Sequence, residues 1–385
     1  MEKFDLIIVG AGPAGSTAAY YTEGLKVLIV DKCDFPRHKS CGGGLISSKD
    51  WHLEFDNYKK IKEKINSACG SSKIKIYWNN IYVVSRKFKH LFDQVDRYEF
   101  DNLLLQLALK KENVSFLKFD VQEIKEEKFE EERGIIISDG VKEIFAPYII
   151  GADGVHSKMA KFLGNRNLKL HEAGHCIEYD LRCEKITRDI HVSPGYKMEI
   201  GYSWIFPTSS GYQVGLGMVR KVRKSLKIYL DEYLDWAVKH KLIPERYEIK
   251  KVSGGVVPLR IAKKYATDRI LLCGDAMGLV KLLIGEGIYY AMKSGKIAGQ
   301  AISESRKNLK ARYRKKIRPV IFEIFLTPYI PPKIFTLTFW TLFFMIGKYV
   351  DKLNVFNPII DFFSRMVIHR QKTAGSFYSD EKITK

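Results

Sequence analysis

The stretch Phe4 to Asp31, FDLIIVGAGPAGSTAAYYTEGLKVLIVD, decides the fold of this chain. Its first apolar run, Phe4 to Val9, and its last, Lys26 to Val30, are short and nearly free of polar residues. Such runs are typical of strands buried on both faces of a sheet. A glycine turn and an alanine-rich helix lie between them, so the order predicts a βαβ unit with parallel strands.

The turn carries the spacing GxGxxG at Gly10, Gly12 and Gly15. The first glycine permits a tight turn, the second lets a pyrophosphate approach the backbone, and the third lets helix and strand pack closely. N–H groups at the helix N-terminus then face the phosphate. Asp31 ends the second strand about 20 residues on, where a carboxylate can accept ribose hydroxyls. Together these features predict a dinucleotide site and leave FAD and NAD open.

The composition is that of a globular protein. The 385 residues suffice for one large domain or two ordinary ones, and 46% of them are hydrophobic and 28% charged. Lys and Arg total 64 against 44 acidic residues, a net charge of +20. This excess indicates an anionic partner, such as nucleic acid, a phosphorylated ligand or an acidic membrane surface, or else a lysine-rich proteome.

The cysteines and histidines do not follow metal-site spacings. None of the six cysteines forms a CxxC pair and no signal peptide precedes Met1, so we expect neither a zinc site nor a secreted disulfide framework. The expected location is the cytoplasm or its membrane face. The close trio His171, His175 and His191 lacks matched acids, and we expect no metal site.

Two later segments repeat the pattern of a buried strand followed by a glycine turn. They are YIIGADG (Tyr148 to Gly154) and RILLC (Arg269 to Cys273), the second leading into a helix through Ile302. Helical periodicity runs from Arg97 to Lys110. Short strands are expected around four residues: Val114, Val121, Gly134 and Ile144.

An alternating, turn-rich region from Leu168 to Leu259 predicts an antiparallel sheet, interrupted by a helix from Lys227 to Lys241. We therefore predict an α/β fold in which a Rossmann-type cofactor domain carries an inserted antiparallel β-sheet substrate domain and is followed by a helical C-terminal region. The expected bounds are 1–65, 97–167 and 260–305 for the cofactor domain, 66–96 and 168–259 for the sheet domain, and 306–385 for the C-terminal region.

The C-terminal region combines a basic run with an apolar one. Arg306 to Arg318 carries eight basic residues, and Ile334 to Gly347 has 14 uncharged ones. As a helix the second run would extend about 21 Å, too short to cross a bilayer. A nucleic-acid patch or a solvated helix face would explain the basic run alone. Packing over the sheet domain is the alternative to membrane contact for the apolar run. We expect peripheral association with an anionic membrane surface and no nucleic-acid partner.

Two motifs resemble the DG and GD motifs of flavoprotein hydroxylases and their relatives. They are GADGVHS (Gly151 to Ser157) and CGDAMG (Cys273 to Gly278). Each sets a carboxylate and a glycine at a strand end that opens a helix. The resemblance implies FAD, with Asp275 placed for its ribityl chain and the helix near Gly287 for the pyrimidine end of the flavin.

Four segments together resemble the geranylgeranyl reductase family. They are PRHKSCGGGL (Pro36 to Leu45), RYEFDNLLLQLA (Arg97 to Ala108), YSWIFPTSSGYQVGLG (Tyr202 to Gly217) and GEGIYYAMKSG (Gly285 to Gly295). The family signature is YxWxFP, seven or eight residues, then GxG, and here seven residues separate Pro207 from Gly215. The resemblance covers residues 1–305. It implies an FAD enzyme that saturates isoprenoid chains on archaeal ether lipids, chlorophyll precursors or related prenyl compounds.

The same resemblance assigns roles to residues. It implies catalytic roles for Cys41, Tyr202, Trp204 and Phe206, and cofactor contacts from a larger set: Gly10, Gly12, Ala14, Gly15, Asp31, Gly42, Gly44, Arg97, Val121, Asp275, Gly287 and Ile288. The three rings would line an apolar tunnel, where their π faces stabilise positive charge on a protonated alkene. By pattern alone they fit an ordinary core, and Cys41 fits either a proton donor or a packing residue.

Two positions depart from the family pattern. Lys281 to Ile284 stand where the family usually has a proline before GEGI, and Asp31 replaces the commoner Glu.

The sequence thus predicts an FAD-dependent reductase of geranylgeranyl chains, with ether-linked phospholipids as the expected substrates. One alternative is an FAD-dependent monooxygenase or halogenase, because one fold hosts several reactions. Another is a non-catalytic membrane-bound protein that binds flavin or lipid. No second GxGxxG occurs, so the electron donor is open between transiently bound NAD(P)H and ferredoxin.

Overall fold

The computed structural model describes residues 1–46, 51–62, 64–65, 70–78, 81–185, 187–194, 201–219, 225–281 and 285–325. Its strands are β1 (Glu2–Lys3), β2 (Leu6–Val9), β3 (Val27–Asp31), β4 (Gly44–Ile46), β5 (Gly70–Trp78), β6 (Ile81–Gln94), β7 (Val114–Lys118), β8 (Glu123–Phe129), β9 (Glu132–Ser138), β10 (Glu143–Ala146), β11 (Tyr148–Gly151), β12 (Ala173–Arg182), β13 (Ile190–Pro194), β14 (Gly201–Pro207), β15 (Gly211–Val219), β16 (Glu248–Pro258) and β17 (Ile270–Leu272). Its helices are α1 (Pro13–Tyr20), α2 (Trp51–Glu54), α3 (Asp56–Ile61), α4 (Arg97–Leu109), α5 (Lys158–Phe162), α6 (Leu226–Lys239), α7 (Gly274–Met277), α8 (Ile288–Glu304) and α9 (Leu309–Phe325).

A five-stranded parallel sheet forms the cofactor domain. Its strand order is β17-β11-β2-β3-β7, and each neighbouring pair is parallel. Strands β2 and β17 are wholly buried, which accounts for their apolar sequences. The carboxyl ends of β2, β3, β11 and β17 meet at one edge, and ligands bind at such edges in doubly wound folds. The predicted α/β fold with a Rossmann-type domain is confirmed.

Helix α8 crosses α1 at backbone distance. A Cβ on Gly295 would lie 2.1 Å from the carbonyl oxygen of Ala14, and one on Gly299 would lie 2.4 Å from that of Ala18. Side chains at these two positions would therefore push the helices apart. The two glycines, four residues apart, lie on one face of α8 and set the contact.

The inserted domain is an eight-stranded sheet with the order β16-β12-β15-β14-β13-β5-β6-β4. The predicted antiparallel pairing fails at one place, because β13 runs parallel to β5, with Ile190 opposite Ile74. These two strands lie far apart in the chain and are not joined as a hairpin. Strand β4 pairs with β6 although it comes from the range predicted for the cofactor domain.

The two faces of this sheet differ. Helix α6 packs on one face, where Tyr179, Ile205, Tyr212 and Leu216 form an apolar core with Leu230 of the helix. Successive residues of a strand point to opposite faces. Glu178, Trp204 and Gly215 each come directly before one of these core residues in the chain. They therefore lie on the other face of the sheet, which meets the cofactor domain.

A small third sheet has the order β1-β10-β9-β8. It contains two of the predicted short strands, those around Gly134 and Ile144. Val121 lies in the connection between β7 and β8, so the strand expected there begins only at Glu123.

Helix α9 contains the part of the basic run from Leu309 to Arg318 and has two faces. Leu309, Tyr313, Ile317, Val320 and Ile324 are buried in the core of the cofactor domain. Tyr313 donates a hydrogen bond of 2.6 Å from its hydroxyl to the carbonyl oxygen of Leu272. The opposite face is exposed and basic; it carries Lys310, Arg314, Lys315 and Arg318.

No helix in the described ranges is long and apolar enough to cross a membrane. The predicted interfacial run Ile334 to Gly347 lies outside those ranges.

His191 of β13 is fully buried, and its Nδ1 lies 3.0 Å from the Tyr77 hydroxyl. Burial lowers its pKa to about 4, with a further lowering by the charge of Lys75 that Asp189 opposes. A histidine in an unfolded chain has a pKa of about 6.5. The unfolded chain thus binds a proton at a pH where the folded chain does not.

We predict that the free energy of unfolding falls as the pH drops from about 6.5 to 4, and that His191→Gln removes part of this fall. Urea unfolding near pH 7 and near pH 4.5 should show a difference of about 2 kcal/mol between wild type and variant in their pH response. His240→Gln, at an exposed site, is the control. Parallel pH responses of wild type and His191→Gln would contradict the prediction.

Candidate active site

The turn after β2 is closed by the carboxylate of Asp31. One oxygen accepts the backbone N–H of Ala11 at 2.9 Å and the other accepts that of Cys33 at 3.0 Å. The N–H of Gly10 donates to the carbonyl of Val30 at 2.7 Å. Asp31 thus fixes the ends of β2 and β3 relative to each other, and each oxygen keeps acceptor capacity for a ligand hydroxyl.

The three glycines of the turn differ in what surrounds them. A Cβ on Gly10, whose φ is +103°, would lie 2.3 Å from the carbonyl oxygen of Ala152, and one on Gly15 would lie 1.8 Å from that of Gly10. A Cβ on Gly12 would meet only the end of the Arg37 side chain, at 3.3 Å. Gly10 and Gly15 are therefore needed for packing. Gly12 leaves space that a pyrophosphate fits.

The DG motif is used for helix capping. The Asp153 carboxylate accepts the Ser157 hydroxyl at 2.5 Å and the N–H groups of Lys158 and Met159 at 2.7 and 3.2 Å, at the start of α5. Burial raises the pKa of Asp153, and these hydrogen bonds offset part of that rise. The next residue of the motif, Gly154, has a φ of +78°.

The GD motif lies against α1 and α8. The N–H of Gly274 donates to the Ser294 hydroxyl at 2.8 Å, and a Cβ on Gly274 would lie 2.9 Å from that of Ala14. A Cβ on Gly287, the N-cap of α8, would lie 3.7 Å from Oδ1 of Asp275. The Asp275 carboxylate therefore lies beside the first turn of α8, which begins at Ile288. Asp275, predicted to contact the ribityl chain, and the start of α8, predicted to contact the pyrimidine end of the flavin, are therefore adjacent.

Arg97 begins α4 and is buried in an ion pair. Its Nε and Nη2 each donate a hydrogen bond of 2.7 Å to Asp101, and Arg37 lies 3.5 Å from the same carboxylate. Burial disfavours the guanidinium charge, but the Asp101 charge and the hydrogen bonds to Asp101 and Cys41 outweigh it and raise the pKa of Arg97. Arg97 therefore remains a cation beside the Cys41 side chain.

Three rings form a continuous row along β14. The centroids of Tyr202 and Trp204 are 5.6 Å apart, and those of Trp204 and Phe206 are 6.0 Å apart. The Trp204 indole lies over two glycines of β15, because a Cβ on Gly215 would be 2.2 Å from the ring and one on Gly217 would be 3.6 Å from it. The GxG of the family signature, Gly215 and Gly217, thus provides the flat surface on which the Trp204 ring packs.

The loop that carries Cys41 and Gly42 packs against these rings. A Cβ on Gly42 would lie 3.1 Å from Phe206 and 3.8 Å from Nε1 of Trp204. The Cys41 sulfur accepts the N–H of Gly43 at 3.4 Å.

The aromatic row also reaches the cofactor domain. A Cβ on Gly285 of the GEGI motif would lie 3.0 Å from the Tyr202 hydroxyl. Burial raises the pKa of Tyr202, with smaller contributions from Cys176 and Cys41. Residues 282–284, where the chain departs from the family pattern, lie outside the described ranges.

The predicted site residues therefore fall into two groups. Cys41 and Gly42 lie with the rings of β14, and Arg97 lies beside Cys41 in its ion pair with Asp101. The glycine turn, Asp31, Asp275 and the start of α8 lie at the edge of the parallel sheet. Gly44 begins β4, and Val121 is buried in the core near Phe119, whose N–H bonds the carbonyl of Asp31 at 2.8 Å. The ligand roles of all these residues stay predictions.

Sequence reasoning missed the polar residues that hold the Cys41 loop. Gln213 donates to the Cys41 carbonyl at 3.1 Å, Gln94 donates to the Gly42 carbonyl, and Glu178 accepts the Cys41 N–H at 2.9 Å. Gln213 lies within the aromatic signature, and Glu178 alternates with the core residues Ile177 and Tyr179. The alternation of strand residues between the two faces of the sheet is the one sequence signal that places Glu178 on the face that carries the rings.

We predict that Gly12→Val gives a folded but colourless protein, because the valine would occupy pyrophosphate space without touching backbone. Gly15→Val should instead fail to fold, since its side chain would overlap the Gly10 carbonyl. Absorbance near 450 nm measures bound flavin, and circular dichroism measures folding. Full flavin occupancy in folded Gly12→Val would contradict the assignment of this glycine.

Two family models match the chain. The FAD binding domain matches residues 99–307, and the lycopene cyclase protein model matches residues 5–182. The first covers more than half of the chain. FAD is therefore the cofactor, in agreement with the space at Gly12.

Curated relatives extend over most of the sequence. An uncharacterised protein of Methanosarcina barkeri is 34% identical over 338 residues, covering 82% of this chain and 81% of the relative. Digeranylgeranylglycerophospholipid reductase of Methanococcus vannielii is 30% identical over 330 residues, covering 79% of this chain and 78% of the relative.

Solved structures share the fold. A geranylgeranyl bacteriochlorophyll reductase-like protein of Thermoplasma acidophilum aligns with a TM-score of 0.76 at 22% identity, covering 92% of both chains. A flavin-dependent brominase aligns with a TM-score of 0.67 at 16% identity, covering 99% of this chain and all of the other. At these sequence identities the similarity to the solved structures establishes the fold and nothing about the reaction. With the relatives at 30% identity or above, the chain belongs to the geranylgeranyl reductase family and is an FAD-dependent oxidoreductase acting on carbon–carbon double bonds.

Proposed function

We propose that this protein reduces the double bonds of geranylgeranyl chains, with archaeal-type ether phospholipids as its substrates. The observation that carries the proposal is the row of Tyr202, Trp204 and Phe206, in which Trp204 lies over Gly215 and Gly217 and Phe206 meets Gly42 of the Cys41 loop. Flat apolar rings suit a flat apolar chain, and their π faces favour nearby positive charge. The reductase names of the archaeal relatives support the same substrate class.

Bound and reduced FAD would supply a hydride to one carbon of a double bond. The other carbon needs a proton, and the Cys41 thiol is the candidate donor on the ring side. The sulfur would be left as a thiolate, and a proton from solvent would restore the thiol before the next turnover. The rings would exclude water and hold the alkene against the loop. NAD(P)H or ferredoxin would return electrons to the flavin.

The prenyl chain of such a substrate lies in a bilayer, so we also propose that the enzyme binds peripherally at the cytoplasmic face of the cell membrane. The exposed face of α9, with Lys310, Arg314, Lys315 and Arg318, supports this proposal. Each basic residue near an anionic surface adds about 1 kcal/mol of binding, weakened by salt. Phe322, on the same helix, is 62% exposed.

The direct test is mass spectrometry of lipids from a host that makes geranylgeranyl ether lipids, with and without this protein. Saturated chains are expected only with the protein. Anaerobic turnover separates the proposal from a monooxygenase or halogenase, which needs oxygen. Absence of turnover with every reductant, despite bound FAD, would favour a non-catalytic binding protein.

We predict that Trp204→Ala keeps its FAD and loses prenyl reduction by about tenfold or more, because the ring positions the chain. Trp236→Ala is the matched control, since Trp236 belongs to α6 on the opposite face of the sheet. Cys41→Ser should lower the rate with flavin bound if the thiol donates the proton. Normal reduction of long prenyl substrates by Trp204→Ala would leave the rings as core residues only.

For the membrane, we predict that the full chain cosediments with anionic liposomes at low salt. The triple change of Arg314, Lys315 and Arg318 to Gln should weaken this binding strongly. The same change at Lys125 and Lys128 of β8 and at Lys142, between β9 and β10, should not. Deleting the chain from Arg306 would remove the buried face of α9, so charge is the feature to vary. Equal binding by both triple variants would contradict the proposal.

A further inference from the structure

We propose that Glu178 is a positioning residue of the reductase, which fixes the Cys41 peptide against the ring-bearing face of the sheet. The inference rests on the proposed function, because it assigns the purpose of the Cys41 loop. The relevant contacts lie between two domains of the chain and involve a side chain that the family signature does not contain.

Three hydrogen bonds converge on one oxygen of Glu178. Oε1 accepts the Ser40 hydroxyl at 2.8 Å, the Cys41 backbone N–H at 2.9 Å and the Ser253 hydroxyl at 3.0 Å. Ser40 and Cys41 belong to the loop, and Ser253 belongs to the neighbouring strand β16. The carboxyl group therefore ties the loop to the sheet at two consecutive residues.

The strand register places Glu178 beside the aromatic row. Glu178 of β12 is opposite Ser253 on one side and Gly215 on the other, and Gly215 is opposite Trp204. Directly opposite residues in a sheet point to the same face. The Glu178 carboxyl thus lies next to the glycine on which the Trp204 indole rests, and the Cys41 peptide is held beside that ring.

The next peptide group, between Cys41 and Gly42, is held as well. Gln213 donates from Nε2 to the Cys41 carbonyl at 3.1 Å, while Glu178 accepts its N–H. These two groups belong to the peptide units on either side of the Cys41 Cα, so neither plane can turn without breaking a hydrogen bond. This fixes the direction of the Cα–Cβ bond and keeps the sulfur near the N–H of Gly43 and the Arg97 guanidinium.

A purely stabilising role explains Glu178 poorly. The residue is 3% exposed, and burial raises the pKa of its carboxyl despite the hydrogen bonds and the nearby Arg97 charge. A buried carboxyl costs free energy, and an apolar residue of similar size often stabilises a fold better. The hydrogen bonds to the Cys41 loop are what the carboxyl provides and an apolar residue lacks.

The test uses the FAD-loaded full-length enzyme with Glu178→Leu, which fills the space and accepts no hydrogen bond, and Glu178→Gln, whose amide oxygen still can. Alkylation by iodoacetamide, resolved by peptide mass spectrometry, reports Cys41 directly, with Cys33 as internal control. In Glu178→Leu we expect Cys41 to react about tenfold faster and kcat to fall about tenfold, with KM for the reductant and FAD content unchanged. Glu178→Gln should restore both values to near wild type.

Ser253→Ala, which removes one of the three donors and leaves the loop contacts, is the matched control and should resemble wild type. If Glu178→Leu yields little folded holoenzyme, Glu178→Asp withdraws the carboxylate by one methylene and should shift both readouts in the same direction. Unchanged alkylation and kcat per folded holoenzyme, even with a lowered Tm, would overturn the proposal. Should the wild type reduce no prenyl chain, the proposed function fails, yet the alkylation result still decides whether Glu178 positions Cys41.

Discussion

A backbone contact that leaves no room for a side chain underlies the cofactor domain. The place of a Cβ on Gly15 is 1.8 Å from the carbonyl oxygen of Gly10, and the place of one on Gly10 is 2.3 Å from that of Ala152. These contacts join β2, α1 and the turn after β11 at one point. Helix α8 approaches α1 in the same way at Gly295 and brings the GD motif with it. The sheet edge that suits FAD is therefore shaped by backbone packing between these elements.

The sheet domain uses the same constraint for a different end. Glycines of β15 let the Trp204 indole lie flat on the strand. Gly285, which belongs to the cofactor domain, leaves room for the Tyr202 hydroxyl. Polar side chains then hold the Cys41 loop over the rings, while the opposite face of the sheet is filled by α6. The candidate site thus lies where a rigid aromatic face meets a loop that is hydrogen-bonded through the peptide groups on both sides of Cys41.

Much of this architecture could be predicted because it depends on local pattern. Strands buried on both faces have apolar sequences, and the turns that follow them need glycine. The βαβ unit and the later strand–turn motifs can therefore be predicted from the sequence. The parallel pairing of β13 with β5 and the membership of β4 in the sheet were not, because no local signal encodes register between distant segments. Val121 was likewise expected in a strand that begins two residues later.

The sequence by itself determined the cofactor class and the family and predicted ligand residues for the site, since each follows from motifs of given residue types at fixed spacing. Only the tertiary structure decided what several of them do. A Cβ on Gly12 would meet no backbone within 4 Å, Gly215 and Gly217 support a ring, and Asp153 caps a helix. Glu178 is joined to Cys41 across 137 positions of the chain. Such contacts depend on which strands are neighbours and which face a residue takes, and these follow from packing the whole chain.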